Sequence, residues 1–153
     1  MSLEAQGELT KFRADNTDYW IGNGNDGYEG DFESALVPDS FKTDVLGYIV
    51  DNNNILVEDA DATPKEFALL FEIDGDDEAT RHVLYRCSAT RPAVASQTTE
   101  AQKSPVTETV TITALGAYNA ALEKNLIKAR AAKTDSAYSS WFSSVYVSTG
   151  AGS

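Results

Sequence analysis

Glu66-Phe67-Ala68-Leu69-Leu70-Phe71-Glu72-Ile73 opens the stretch Phe67 to Ala114, whose reading decides the fold. In an extended chain successive side chains alternate between faces, so Phe67, Leu69, Phe71 and Ile73 share one side. The segment therefore reads as a strand with one buried side. An acidic turn, Asp74-Gly75-Asp76-Asp77-Glu78, leads into Arg81-His82-Val83-Leu84-Tyr85-Arg86-Cys87, which alternates again with Val83, Tyr85 and Cys87 on one face. The two segments predict a hairpin. After a loop rich in Thr, Ser, Ala and Pro comes Thr107-Glu108-Thr109-Val110-Thr111-Ile112-Thr113, nearly all β-branched. Such residues are crowded in a helix and suit a pleated sheet. Three strands suffice to seed a sheet, and the expectation is a mainly β domain with one or two short flanking helices.

The totals narrow the class further. With 153 residues the chain fits one domain, read as 1–147 with a fraying tail at 148–153. No apolar run approaches the roughly 18 residues of a membrane span, and Met1-Ser2-Leu3-Glu4-Ala5-Gln6 shows neither the basic nor the apolar region of a secretory signal. Cys87 is the only cysteine and cannot form an internal disulfide, which fits synthesis in a reducing compartment. Net charge is −12, unevenly spread: residues 1–80 hold 20 Asp and Glu against 4 Lys and Arg, residues 81–153 hold 4 against 8. A chain this acidic is not built to neutralise phosphates. Its charge serves solubility, or complementary contact between an acidic face and a basic one on another copy.

Leu3 to Arg13 alternates weakly around Gly7 and is read as a strand. Asp15 to Gly27 is a polar loop rich in Asn and Gly that carries Tyr19, Trp20 and Ile21, aromatics that either fold back onto the core or meet a partner. Tyr28 to Leu36 is a strand with Tyr28, Phe32 and Leu36 on one face and Glu29, Asp31 and Glu33 on the other. Those carboxylates stand about 6.8 Å apart at roughly 3.4 Å per residue. That is too wide for a single calcium or magnesium ion, leaving a solvated face or a wall toward a polyanion. Val37 to Gly47 predicts a short helix, capped by Asp39 or Ser40, with Phe41 and Val45 inward. Tyr48-Ile49-Val50 and Ile55-Leu56-Val57 predict a hairpin around an Asn turn. Residues 119–132 favour helix by propensity, although Leu126 to Ala131 could form a strand. Thr134 to Phe142 reads as a capped short helix with Tyr138 and Trp141 or Phe142 inward.

Enzymatic chemistry finds little footing. His82 is the sole histidine and has no Cys or His at ligand spacing, and Cys87 has no candidate base nearby. The acidic run at Asp74–Glu78 is too short for a calcium loop and reads as a hairpin tip. No phosphate loop, dinucleotide fingerprint or nucleophile elbow occurs. The reading is non-enzymatic, with no catalytic residue, metal or cofactor.

Tyr28-Glu29-Gly30-Asp31 leading to Leu36-Val37-Pro38, the hairpin Ala68 to Cys87, Ala89-Thr90-Arg91-Pro92, Thr107 to Ala114, and Trp141-Phe142 before Val145-Tyr146 form an ordered set. In order and spacing it resembles the major tail proteins, or tail tube proteins, of long-tailed non-contractile bacteriophages and prophages, over most of residues 3–147. The resemblance implies a β-sandwich or barrel flanked by a helix, assembling with itself into stacked hexameric rings in a virion tail. It implies synthesis in the bacterial host cytoplasm, contact with other tail proteins, no membrane, and DNA only as transiting cargo. On this sequence it places Leu3–Glu8 and Tyr28–Leu36 in the lumen-lining hairpin, with Glu29, Asp31 and Glu33 toward the lumen. It places the connecting loop, with Phe12, Tyr19 and Trp20, against the next ring, and it favours a strand at Leu126–Ala131. Two departures stand out: the family pattern carries a further segment before the strand matching Leu3–Glu8, so an N-terminally shortened chain is expected, and Leu115 to Asn125 reads as more helical than the family's turn. The competing reading is a monomeric β-sandwich that binds carbohydrate through Tyr19 and Trp20.

Overall fold

A curled antiparallel sheet is what the alternating and β-branched segments build. The computed structural model describes residues 1–7, 9–14, 17–73, 76–93 and 107–150, with backbone alone for 9–14 and 17–23. Its strands are Ser2–Gln6 (β1), Leu9–Ala14 (β2), Thr17–Asn23 (β3), Gly27–Ser34 (β4), Ile49–Val50 (β5), Leu56–Val57 (β6), Phe67–Glu72 (β7), Arg81–Ala89 (β8), Glu108–Leu115 (β9), Ala117–Asn119 (β10), Lys124–Leu126 (β11) and Lys128–Ala131 (β12). Among the described residues the helix is Asp39–Asp44 (α1). The chain is mainly β, as the alternation requires. The tip Asp74-Gly75, the loop at 94–106 and residues 151–153 of the expected tail lie outside the described residues.

The long strand β8 organises the sheet. Cys87 pairs with Phe67 of β7 on one side and Ala114 of β9 on the other, while Leu84 pairs with Leu69 of β7 and Lys128 of β12. Strands β9 and β12 therefore run end to end along the same edge of β8. Between them the Tyr85 N–H donates to the Ile127 carbonyl at 3.1 Å, and residues 116–127 detour outward as the β10–β11 hairpin. β4 pairs with the far side of β9, and β1 with the far side of β4. The curl shows in the groove lined by both Leu3 of β1 and Phe71 of β7, strands at opposite ends of the ladder.

Burial divides between two faces. On the concave face Val110, Ile112 and Ala114 meet Leu84, Cys87 and Ala89, and α1 with its flanks closes one end through Val37, Phe41, Val45 and Leu46. The Phe41 and Phe67 rings meet edge to face with centroids 5.4 Å apart. Behind the sheet a second cluster joins Val83, Ala131 and Trp141, with Ala68, Leu70 and Tyr85 against it. One strand can serve both because Tyr85 and Arg86 together oppose Ala68, a bulge that breaks the period of two.

Several expectations are corrected. Val83, Tyr85 and Cys87 do not share a face, since the bulge turns Leu84 and Cys87 to the concave core. Ile73 lies beyond the end of β7 and Leu36 beyond β4, and both are exposed. Of the loop expected at Asp15–Gly27, residues 17–23 are strand: β2 and β3 pair as a hairpin prolonging the β1–β4 pair past Gly7. At Gly7, φ is +147° and a Cβ would collide with the Gly24 carbonyl, so that junction requires glycine. Helix α1 starts after Pro38 with no side-chain cap from Asp39 or Ser40. Thr134 to Phe142 forms successive turns instead of a helix, with Tyr138 N–H donating to Asp135 O, Trp141 N–H to Tyr138 O and Ser143 N–H to Ser140 O. Residues 119–131 are strand and turn where propensity favours helix, and the strand expected at Leu126–Ala131 breaks at Ile127, between β11 and β12.

Candidate functional site

The surface singled out by the sequence is the convex side of β1, β4 and β9. Register fixes it. Tyr28, Gly30 and Phe32 lie opposite Ala114, Ile112 and Val110, so the intervening Glu29, Asp31 and Glu33 lie opposite Thr113, Thr111 and Thr109 on the other side of the sheet. All three carboxylates are exposed. Each is held by a threonine hydroxyl: Thr113 Oγ1 donates to Glu29 at 3.5 Å, Thr111 Oγ1 to Asp31 at 2.8 Å, and Thr107 Oγ1 to Glu33 at 2.5 Å. Hydroxyl donors orient the carboxylates and bring no positive charge to the row.

The β1 edge extends the row. Ser2 pairs with Asp31 and Glu4 with Glu29, so two carboxylates stand directly across from each other. Like charges in that position weaken a strand pair. The pairing is held from the other face, where Leu3 and Tyr28 pack against the concave core. At Gly30 a Cβ would lie 1.8 Å from the Ser2 carbonyl, so β1 can approach β4 this closely only over glycine. The threonine partners and Glu4 were missed by inspection of single strands; only the register reveals them.

Phe12, Tyr19 and Trp20 sit on the β2–β3 hairpin. Phe12 is the ladder partner of Trp20, and the register slips between Phe12 and Arg13, leaving Tyr19 without a direct counterpart. The acidic and aromatic residues thus occupy successive parts of one long ribbon. The structure does not bring them together.

His82 and Cys87 do not converge. His82 stacks on Phe71 with ring centroids 5.2 Å apart, and burial, then the Lys128 charge, lowers its pKa. Cys87 is enclosed in the core, where burial pushes its thiol up to about 11. Among the described residues no group of three His, Cys, Asp or Glu side chains is placed to hold a metal, and no helix is long and apolar enough to cross a membrane.

Two further surfaces escaped the sequence reading. A groove of about 240 Å³ opens at the end of the concave face away from α1, between β1 and β7, lined by Leu3, Tyr28, Phe71, Leu84 and Lys128. The β5–β6 ribbon exposes Ile49, Val50, Ile55 and Val57. Comparison with protein-family models, curated proteins and solved structures finds no match to this chain.

Proposed function

We propose that this chain is a structural subunit of a bacteriophage tail tube, assembling with copies of itself into stacked hexameric rings that conduct DNA. The observation that carries the reading is the oriented row of Glu29, Asp31 and Glu33 on a long β-ribbon. Duplex DNA carries a charge about every 1.7 Å along its axis, and each cation placed against it adds affinity. A wall of fixed carboxylates offers none, so a duplex passes without being held. Among the described residues the outer edges of β1 and β7 are unpaired, and these edges and the β2–β3 arm support contact with identical neighbours and with other tail proteins. In this reading the protein resides in the virion tail, acts without catalysis or cofactor, and treats DNA as cargo.

The competing reading, a monomeric carbohydrate-binding module, draws on Tyr19 and Trp20, neighbours on β3 of the β2–β3 hairpin. Light scattering and negative-stain microscopy of the purified chain, with glycan-array binding in parallel, separate the two. Rings or tubes without glycan binding are expected; a strict monomer that binds glycan favours the competitor.

A further inference from the structure

The β5–β6 ribbon has an unusual surface. Ile49 pairs with Val57 and Val50 with Leu56, while Ile49, Val50, Ile55 and Val57 are 54, 49, 57 and 44 % exposed. Consecutive residues of a strand point to opposite faces, so both faces of the ribbon are apolar. Its turn is nonetheless well formed: Asp51 Oδ1 accepts from the N–H groups of Asn53 at 2.8 Å and Ile55 at 2.9 Å. The result is a preorganised apolar ribbon flanked by acid, with Asp51 at its turn and Asp59 and Asp61 just beyond.

A complementary surface exists at the other end of the molecule. The groove between β1 and β7 is lined by Leu3, Phe71, Ile73, Leu84 and Lys128, whose Nζ lies 4.9 Å from the Tyr28 ring centroid. Arg130, also exposed, is paired in register with His82 of the groove. Neither cation makes an ion pair among the described residues. The ribbon is tied by Glu58 to Arg91, just past the end of β8, at 2.6 Å. His82 lies near the start of that strand. Nine positions along a strand span about 30 Å, which separates a chain's ribbon from its own groove.

We propose that the β5–β6 ribbon of one copy seats in the β1–β7 groove of a second copy, apolar residues against its apolar lining and Asp51 and its acidic neighbours against Lys128 and Arg130. The contact joins two different patches. Such head-to-tail contacts propagate until they close into a ring or run on as a filament. This rests on the self-assembling reading and adds the contact that carries it.

The test uses the whole chain with one surface altered at a time, followed by sedimentation velocity. Ile55→Lys disables the ribbon, with Val57→Thr as the milder variant that keeps strand propensity. Ile73→Asp, at the exposed lip, and Lys128→Glu disable the groove. Thermal unfolding followed by circular dichroism selects the variants that fold as the wild type does. Each folded variant alone is expected to need at least about tenfold more protein to assemble, as loss of one good contact implies. A mixture of a ribbon variant and a groove variant is expected to yield a two-copy species, because one intact ribbon and one intact groove remain. Assembly indifferent to the groove variants, or a mixture that yields no pairs, overturns this contact and leaves the tube reading standing. A wild-type chain that stays monomeric at every concentration overturns both.

Discussion

Lys42 Nζ lies 3.0 Å from Glu108 Oε1, joining α1 to the first residue of β9 across the mouth of the concave core. The other carboxylate oxygen accepts from the Val37 N–H at 2.5 Å. Lys42 is almost fully buried, yet its charged end has a partner. One carboxylate thus fixes both the entry to the helix and its last turn. Glu108→Ala strands the Lys42 charge and the Val37 N–H, and is expected to cost about 2–3 kcal/mol in urea unfolding. Lys42→Met keeps the buried stem and should cost under about 1 kcal/mol.

The same pair sets an acid limit. The Val37 N–H, and then the Lys42 side chain, hold the Glu108 carboxyl below its ordinary range. A carboxyl whose pKa is depressed on folding contributes stability above its unfolded value, about 4.3, and loses it as pH falls through the folded value. The stability gap between wild type and Glu108→Gln should therefore be widest near neutrality and close in acid. Unfolding midpoints measured from pH 7 to pH 3 check this; a gap that widens in acid contradicts it.

Trp141 is buried behind the sheet, donates its Nε1–H to the His82 carbonyl at 3.1 Å, and stacks on Tyr146 with centroids 5.5 Å apart. Trp141→Ala is expected to cost about 3–5 kcal/mol, and Trp141→Phe considerably less. Hydrogen exchange should show lost protection in β12 and the turns at 133–143 before β4 and β9 are affected.

Gly30→Ala places a methyl against the Ser2 carbonyl. β1 should separate from β4, with fast amide exchange at residues 2–6 and little change at Val110 and Ile112. If the amides of β1 stay as protected as in the wild type, the close approach is not a constraint.

Cys87 should resist alkylation in the native state, since burial both encloses it and pushes its thiol pKa up to about 11. Rapid labelling by an aromatic disulfide reagent is expected only in denaturant. Native-state labelling at the denatured rate would contradict the packing of β8.

Much of the sheet was legible because burial imposes a period. Phe67, Leu69 and Phe71 alternate, Val110 and Ile112 stand between threonines, and the structure puts both sets on the concave face. What the sequence hid was set by distant partners. The bulge at Tyr85–Arg86 arises where one strand feeds two cores. The helical propensity of residues 119–126 lost to a turn closed by Asn119, whose Oδ1 accepts from the Leu122 N–H, with Glu123 at φ 52°. The turns ending at Trp141 are anchored by contacts to β8 that no local pattern reports. The acidic side of β4 was legible by alternation, whereas its threonine partners, more than 70 positions away in sequence, were not.

In the proposed tube the β1–β4 ribbon turns its acidic side toward a bore. Cryo-electron microscopy of assembled particles tests it directly. Rings in which Glu29, Asp31 and Glu33 of every copy face the central channel are expected; a reconstruction with all three on the outer wall contradicts that placement.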